Sequence, residues 1–269
     1  MTRNPAVAGQ FYPDSQKLLL KQLGSLITNT LPKENAIGVI SPHAGYVYSG
    51  YVAGAVLGSI IHKPVYLIIG PNHTGLGEPF SIPASDTWKT PLGDVRINTK
   101  LASALKKNCR HLKEDETAHL YEHSIEVQLP FLQAMQKDFT FVPIVVEQAD
   151  LKTYKEIGRS IAATIKELKM ESDVTIIASS DMTHYEAQNS VEEKDKKAIS
   201  AILELDEDKL ITTIKKFDIT MCGSAPAGIM LAAAKALGAT KAKLVKYQTS
   251  GDTSGDFSSV VGYAGIIVS

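Results

Sequence analysis

Three histidines, each a few residues past a short apolar run, are the residues best placed to do chemistry in this chain. His43 lies in Ser41-Pro42-His43-Ala44-Gly45-Tyr46 and His73 in Gly70-Pro71-Asn72-His73-Thr74-Gly75. His184 lies in Ser179-Ser180-Asp181-Met182-Thr183-His184-Tyr185. Imidazole titrates near neutral pH and is the commonest protein ligand of transition metals. Proline and glycine beside His43 and His73 stiffen their turns, as a group that must hold its position requires. Asp181 is near enough to share a pocket with these groups and orient an imidazole. Cys222, in Met221-Cys222-Gly223-Ser224-Ala225-Pro226, opens a helical pattern. A helix N-terminus favours thiolate, and thiolate with imidazole suits zinc, copper or iron more than magnesium or calcium. Spacing alone reads Cys222 equally well as a metal ligand and as a small residue packed in a Gly/Ser/Ala turn.

The elements that must position these groups are visible as alternating patterns. Short apolar, β-rich runs span 36–41, 64–70, 139–146, 173–180, 242–248 and 259–268, mostly continuous rather than alternating, as in strands covered on both faces. Helical patterns span 15–26, 50–61, 100–108, 124–136, 151–168, 191–203, 206–216 and 224–237. Strand alternating with helix predicts an α/β fold, a single domain over 1–269 with a largely parallel or mixed central sheet and helices on both faces. The proline-rich stretch 78–98 reads as a hairpin or sheet-edge excursion. His43, His73 and His184 then all stand at strand carboxyl ends, where open α/β sheets bind ligands, and three such histidines can meet in one pocket. The glycines at 50, 54 and 58 fit close packing of a helix on the sheet, their apolar segment being too short to span a bilayer.

The other histidines read differently. His62, His111 and His119 follow no strand and are taken as surface or hydrogen-bonding residues. His123 opens the helix predicted over 124–136, beside Glu122, where it lines the pocket or caps that helix. The mixed-sign run Glu192-Glu193-Lys194-Asp195-Lys196-Lys197 reads as a solvated helix face, and Glu114-Asp115-Glu116 as a surface loop.

Composition excludes several classes. The chain has 269 residues, 44% hydrophobic and 21% charged, with a formal charge of -1, so it gives no reason to expect nucleic acid or an anionic membrane as a partner. Its two cysteines are too few for a disulfide framework, which fits a reducing cytoplasm. Neither a signal peptide nor an apolar run of membrane-spanning length is visible. Dinucleotide, Walker A and Gly-x-Ser-x-Gly motifs are absent, which leaves a nucleotide enzyme or serine hydrolase without support.

A set of ordered motifs resembles a known family. They are Ala8-Gly9-Gln10-Phe11-Tyr12-Pro13, Ser41 to Gly50, Gly70-Pro71-Asn72-His73, Glu122-His123-Ser124-Ile125-Glu126-Val127-Gln128-Leu129-Pro130-Phe131, Ser179 to Tyr185, and Met221-Cys222-Gly223. Together they look like the Memo family, and the likeness runs from residue 6 to the C-terminus. The resemblance implies a fold similar to the class III extradiol ring-cleaving dioxygenases, which bind iron(II) through two histidines and a glutamate. Carried over by motif, His43 and His73 match the two histidine ligands. Cys222 falls where Memo proteins place a cysteine instead of the glutamate. His184 matches the acid–base histidine, accompanied by Asp181, and His123, Asn72, Tyr46 and Phe11 are expected to line the pocket. The implied cofactor is one iron(II) or copper ion per chain, with zinc as an alternative. A His, His, Cys set is not the facial triad of ferrous oxygenases, so ring cleavage does not follow. The implied function is a metal-binding protein, whose enzymatic reading is a metal-dependent oxidoreductase related to the dioxygenases. The alternatives are a non-enzymatic module that binds a small molecule or peptide or sequesters metal, and an accessory protein acting with AMMECR1-type and radical-SAM partners.

Overall fold

The computed structural model describes residues 2–28 and 32–269. The strands are β1 (Thr2–Arg3), β2 (Gly38–Ser41), β3 (Val65–Pro71), β4 (Phe80–Ile82), β5 (Thr87–Thr90), β6 (Gly93–Ile97), β7 (Lys113–Glu114), β8 (Thr140–Val146), β9 (Val174–Ser179), β10 (His184–Glu186), β11 (Ala242–Thr249) and β12 (Val260–Val268). The helices are α1 (Gln16–Leu26), α2 (Tyr46–Gly58), α3 (Thr99–Asn108), α4 (Thr117–Leu120), α5 (Leu129–Met135), α6 (Leu151–Glu167), α7 (Gln188–Leu203), α8 (Glu207–Phe217), α9 (Ser224–Ala236) and α10 (Gly251–Ser254). All strands join one mixed sheet whose main path runs β1-β5-β6-β8-β3-β9-β2-β12-β10, with β11 on β12 and β4 and β7 beside β8. The expected α/β class with a mixed central sheet is what the chain adopts.

The centre is parallel. β8, β3, β9 and β2 run side by side in one direction, and β2, β3 and β9 are buried at every residue. That burial explains why these runs are continuously apolar. Helices cover both faces, as register shows. Gly38 pairs with Val268, and a Cβ on Gly38 would meet Met230 of α9. Gly265, an odd number of residues from Val268, faces the other way, where a Cβ would lie 2.8 Å from Val56 of α2.

Several boundaries differ from expectation for local reasons. Helix α2 begins at Tyr46, four residues earlier than the pattern suggests, because the Tyr46 N–H donates to Phe11 O and Gly45 caps the turn. The helix expected over 124–136 is instead a 3-10 turn, Glu126–Gln128, followed by α5. His123 therefore caps no helix. The stretch 78–98 does form a sheet-edge hairpin, β5 with β6, and β6 then joins β8. The α2 glycines act otherwise than expected. Gly50 and Gly54 face α1, where a Gly54 Cβ would strike the Leu26 carbonyl, so they serve helix-on-helix contact and the sheet's own Gly265 admits the helix. Gly54→Ala is expected to cost about 1–3 kcal/mol in chemical denaturation. The exposed Gly24 of α1 has open space around it, and Gly24→Ala should be neutral or stabilising by about 0.5–1 kcal/mol.

No helix is long and apolar enough to cross a membrane among the described residues.

Candidate metal centre

β9 lies between β2 and β3, so the carboxyl ends of these three adjacent parallel strands open on one edge of the sheet. His43 follows β2, His73 follows β3, and Asp181 and His184 follow β9. The helix α9 begins beside them, and Gly223 lets it do so: a Cβ there would strike Ser180 and the Ser179 carbonyl. Cys222 is carried in on that turn.

The hydrogen bonds around His43 determine which nitrogen carries its proton. Ser179 Oγ donates its one hydrogen to Ser124 O at 2.6 Å and accepts from Gln128 Nε2 at 2.9 Å. His43 Nδ1 stands 3.0 Å from the same oxygen, so Nδ1 must be the donor. Nε2 is then a bare lone pair, and it faces Cys222 Sγ at 3.2 Å. His43 is buried, and burial first, then the neighbouring His123, His73 and His184, hold it well below the usual imidazole range. Its neutral state at pH 7 agrees with that lone pair.

His73 is arranged in the same way by a different partner. Its Nδ1 lies 3.0 Å from Glu122 Oε1 and its backbone N–H donates to Glu122 Oε2 at 2.6 Å. Glu122 also accepts the N–H groups of His123 at 2.9 Å and Ser124 at 2.8 Å. Burial pushes the Glu122 carboxyl up, but the His73 bond, its charge and these amides outweigh it and set the group at about 2. Burial likewise lowers His73, while Glu122 raises it more, and the net direction is upward. A carboxylate behind an imidazole fixes the ring and makes the opposite nitrogen a stronger ligand. His123 stacks on His73 at 4.7 Å and 20°.

Cys222 departs from expectation. Burial first, and the Asp181 carboxylate second, push its thiol well up, overriding the helix N-terminus that was expected to favour thiolate. Sγ accepts the Asp181 N–H at 3.3 Å and its proton is within reach of His43 Nε2. A bound cation would displace that proton. Asp181 itself is buried, accepting the His43 N–H at 2.8 Å. Burial raises its carboxyl to about 6, against the His43 and Ala44 amides and the charge of His184.

One donor atom from each of His43, His73 and Cys222 lies within 4.8 Å of the others. Ligands at about 2.0–2.1 Å (nitrogen) and 2.3 Å (sulfur) from one ion stand about 3.5 Å apart, close to the His43–Cys222 separation. Two imidazoles with free nitrogens and a sulfur are therefore a fitting set for a transition metal. His73, Glu122 and His123 form a second such group, but Glu122 there already accepts four N–H donors.

His184 lies outside both donor groups and lines the same cleft, of about 680 Å³. Its backbone N–H and Nδ1 meet Thr220 Oγ1 and O at 2.7 and 2.9 Å, which leaves Nε2 free. It sits in the short strand β10 rather than a loop, and its neighbour Thr183 is anchored on Asp195 at 3.0 and 2.6 Å. Asp195 is fully buried, which corrects the reading of its charged run as wholly solvated. Its carboxylate lies where a Cβ on Gly262 would be.

His123 lines the cleft, but three other expected liners do not. Asn72 closes its own turn, accepting from Thr74 and Gly75 and donating to Leu76 O. Tyr46 is buried with its hydroxyl on Val127 O at 2.6 Å. Phe11 packs on His123 from behind at 4.7 Å. His62, His111 and His119 bond to Tyr66, Glu156 and Ser81, away from the cleft, although His119 is fully buried rather than superficial. Glu122, Ser179 and Gln128, which hold the two histidines, escaped sequence reasoning. A carboxylate flanking His123 was the available signal for the first of them.

Comparison with known proteins places the chain in a family. The chain matches the model of the family described as Memo-like protein over residues 3–267. It is 43% identical to a MEMO1 family protein of Methanopyrus kandleri, with 99% of each chain covered. It is 45% identical to one of Methanosarcina barkeri, again over 99% of each. Among solved structures, an uncharacterised protein of Escherichia coli K12 shares the fold with a TM-score of 0.59 at 12% identity, covering 86% of this chain and 98% of that one. A family match over nearly the whole chain, with relatives at this level of identity, means that the chain belongs to the Memo-like family.

Proposed function

We propose that this protein binds one transition-metal ion, iron(II) or copper, through His43, His73 and Cys222, and that the cleft above it is the working site of a redox protein related to non-haem dioxygenases. The observation that carries this reading is the pair of preset tautomers. Ser179 holds the His43 proton on Nδ1, Glu122 holds that of His73, and the remaining ring nitrogens gather with the Cys222 sulfur. Two imidazoles oriented this way have no need to be so for packing alone.

A bound ion would supply Lewis acidity or one-electron chemistry at the base of the cleft. The chain's own groups do the rest. Asp181 fixes the His43 backbone, and His184, with Nδ1 on Thr220 O, presents Nε2 to the cleft as a group able to take or give a proton. Occupancy requires a proton to leave Cys222, so metal affinity should fall as pH falls.

Anaerobically purified protein is expected to hold about one metal ion per chain, and His43→Ala, His73→Ala and Cys222→Ala to lose it. His184→Ala should keep it. Full occupancy in His73→Ala would overturn the assignment.

A further inference from the structure

The walls of the cleft say what kind of molecule it accepts. Its volume of about 680 Å³ suits a small organic ligand. The lining holds two carboxylates, Asp181 and Asp256, and neither lysine nor arginine. Three tyrosines reach it from three elements, Tyr48 from the first turn of α2, Tyr185 from β10 and Tyr263 from β12.

Tyr263 is the most informative of these. It is 2 % exposed, yet its hydroxyl has no hydrogen-bond partner among the described residues. That oxygen is not sealed in by protein atoms, and the open volume it reaches is the cleft. That hydroxyl takes its partner from whatever the cleft holds, water or the polar group of a ligand. Tyr48 and Tyr185 present rings that are 44% and 76% exposed. Aromatic faces carry negative potential and attract cations. Asp256 uses Oδ1 on Ser258, and Oδ2 has no partner among the described residues.

An anion entering this cleft would meet two carboxylates and no lysine or arginine. Of the imidazoles beside them, burial first holds His43 and His123 below the usual range, and His73, the one held above it, is already turned to the Glu122 carboxylate. A divalent ion held by a thiolate contributes about one net positive charge at the base, which the Asp181 carboxylate offsets.

We propose that the outer part of the cleft binds a small organic cation, a protonated amine carried on a ring. Its ammonium is met by the Tyr48 and Tyr185 faces and the Asp256 carboxylate, and its other polar group by the Tyr263 hydroxyl. This inference rests on the cleft being the working site proposed above, and it does not require the metal.

The test titrates two probes of equal ring and opposite charge, tyramine and 3-(4-hydroxyphenyl)propionate, into the full chain with and without metal chelation. Tyramine should bind at least about tenfold more tightly. Tyr263→Phe should weaken it about five- to tenfold and Asp256→Asn about threefold or more, both with wild-type metal content. Equal or tighter binding of the carboxylate, no binding of tyramine, or tyramine affinity unchanged in both variants would each overturn the inference. Selective tyramine binding by a chain that already holds no metal when purified anaerobically, before any chelation, would instead leave the inference standing and remove the metal assignment.

Discussion

Replacing Glu126 with alanine is expected to destabilise the fold by about 3–5 kcal/mol, the largest loss among single substitutions near the site. Glu126 is fully enclosed and receives Arg3 Nη1 at 2.7 Å, the Ala6 and Val7 amides at 2.7 and 3.1 Å, and the Tyr12 hydroxyl at 2.6 Å. The side chains of the ion pair are 2% and 0% exposed. Removing the carboxylate leaves a buried guanidinium uncompensated, and that penalty, rather than the attraction lost, dominates the cost. Arg3 also donates to Glu122 O at 2.7 Å and His119 O at 2.6 Å, so the disturbance reaches the carboxylate behind His73. Urea denaturation at pH 7 measures the loss, and a change under about 1 kcal/mol would show that the N-terminal segment does not depend on this pair.

Glu122→Gln is expected to lower metal affinity by about 10–100-fold, because it replaces an all-acceptor group with one that points its own donors at N–H groups. The same substitution has a pH signature. The Glu122 carboxyl is held at about 2, below its unfolded value near 4.3. A depressed acid stabilises the fold fully above the unfolded pKa and loses that contribution as pH falls toward the folded one. The metal-free wild type should therefore exceed the variant by up to about 3 kcal/mol at pH 7, with the gap narrowing between roughly pH 4.3 and 2. A gap independent of pH would refute the charged role of Glu122, while unchanged metal affinity would refute its support of His73.

Much of this was legible in the sequence, and the misses share a cause. The buried strands announce themselves because parallel strands covered on both faces admit no polar alternation. His43, His73 and Cys222 stand in stiff turns beside them. What hid was anything that depends on long-range pairing. The placement of β9 between β2 and β3 follows from no local pattern, and Ser179 acquires its role only through that placement. Asp195 sits in a run whose charges suggest water, and only the packing of α7 against β12 turns it inward. Tyr263 lies in an apolar strand where a tyrosine looks like core. Asn72 and Tyr46 failed as pocket residues because backbone groups in their own surroundings claim their polar atoms.

The strand order has one more consequence. Strands in a sheet stand about 4.8 Å apart, so β2 and β3, separated by β9, hold the roots of His43 and His73 about 10 Å from one another whatever their loops do. The sheet acts as a ruler for the site. Loosening the loops alone cannot change that span, and tearing the ruler means tearing the core. Capture and release of an ion should therefore leave the distance between those roots unchanged, so that a chelator takes the ion from a chain whose sheet, and with it the layout of the empty site, stays folded.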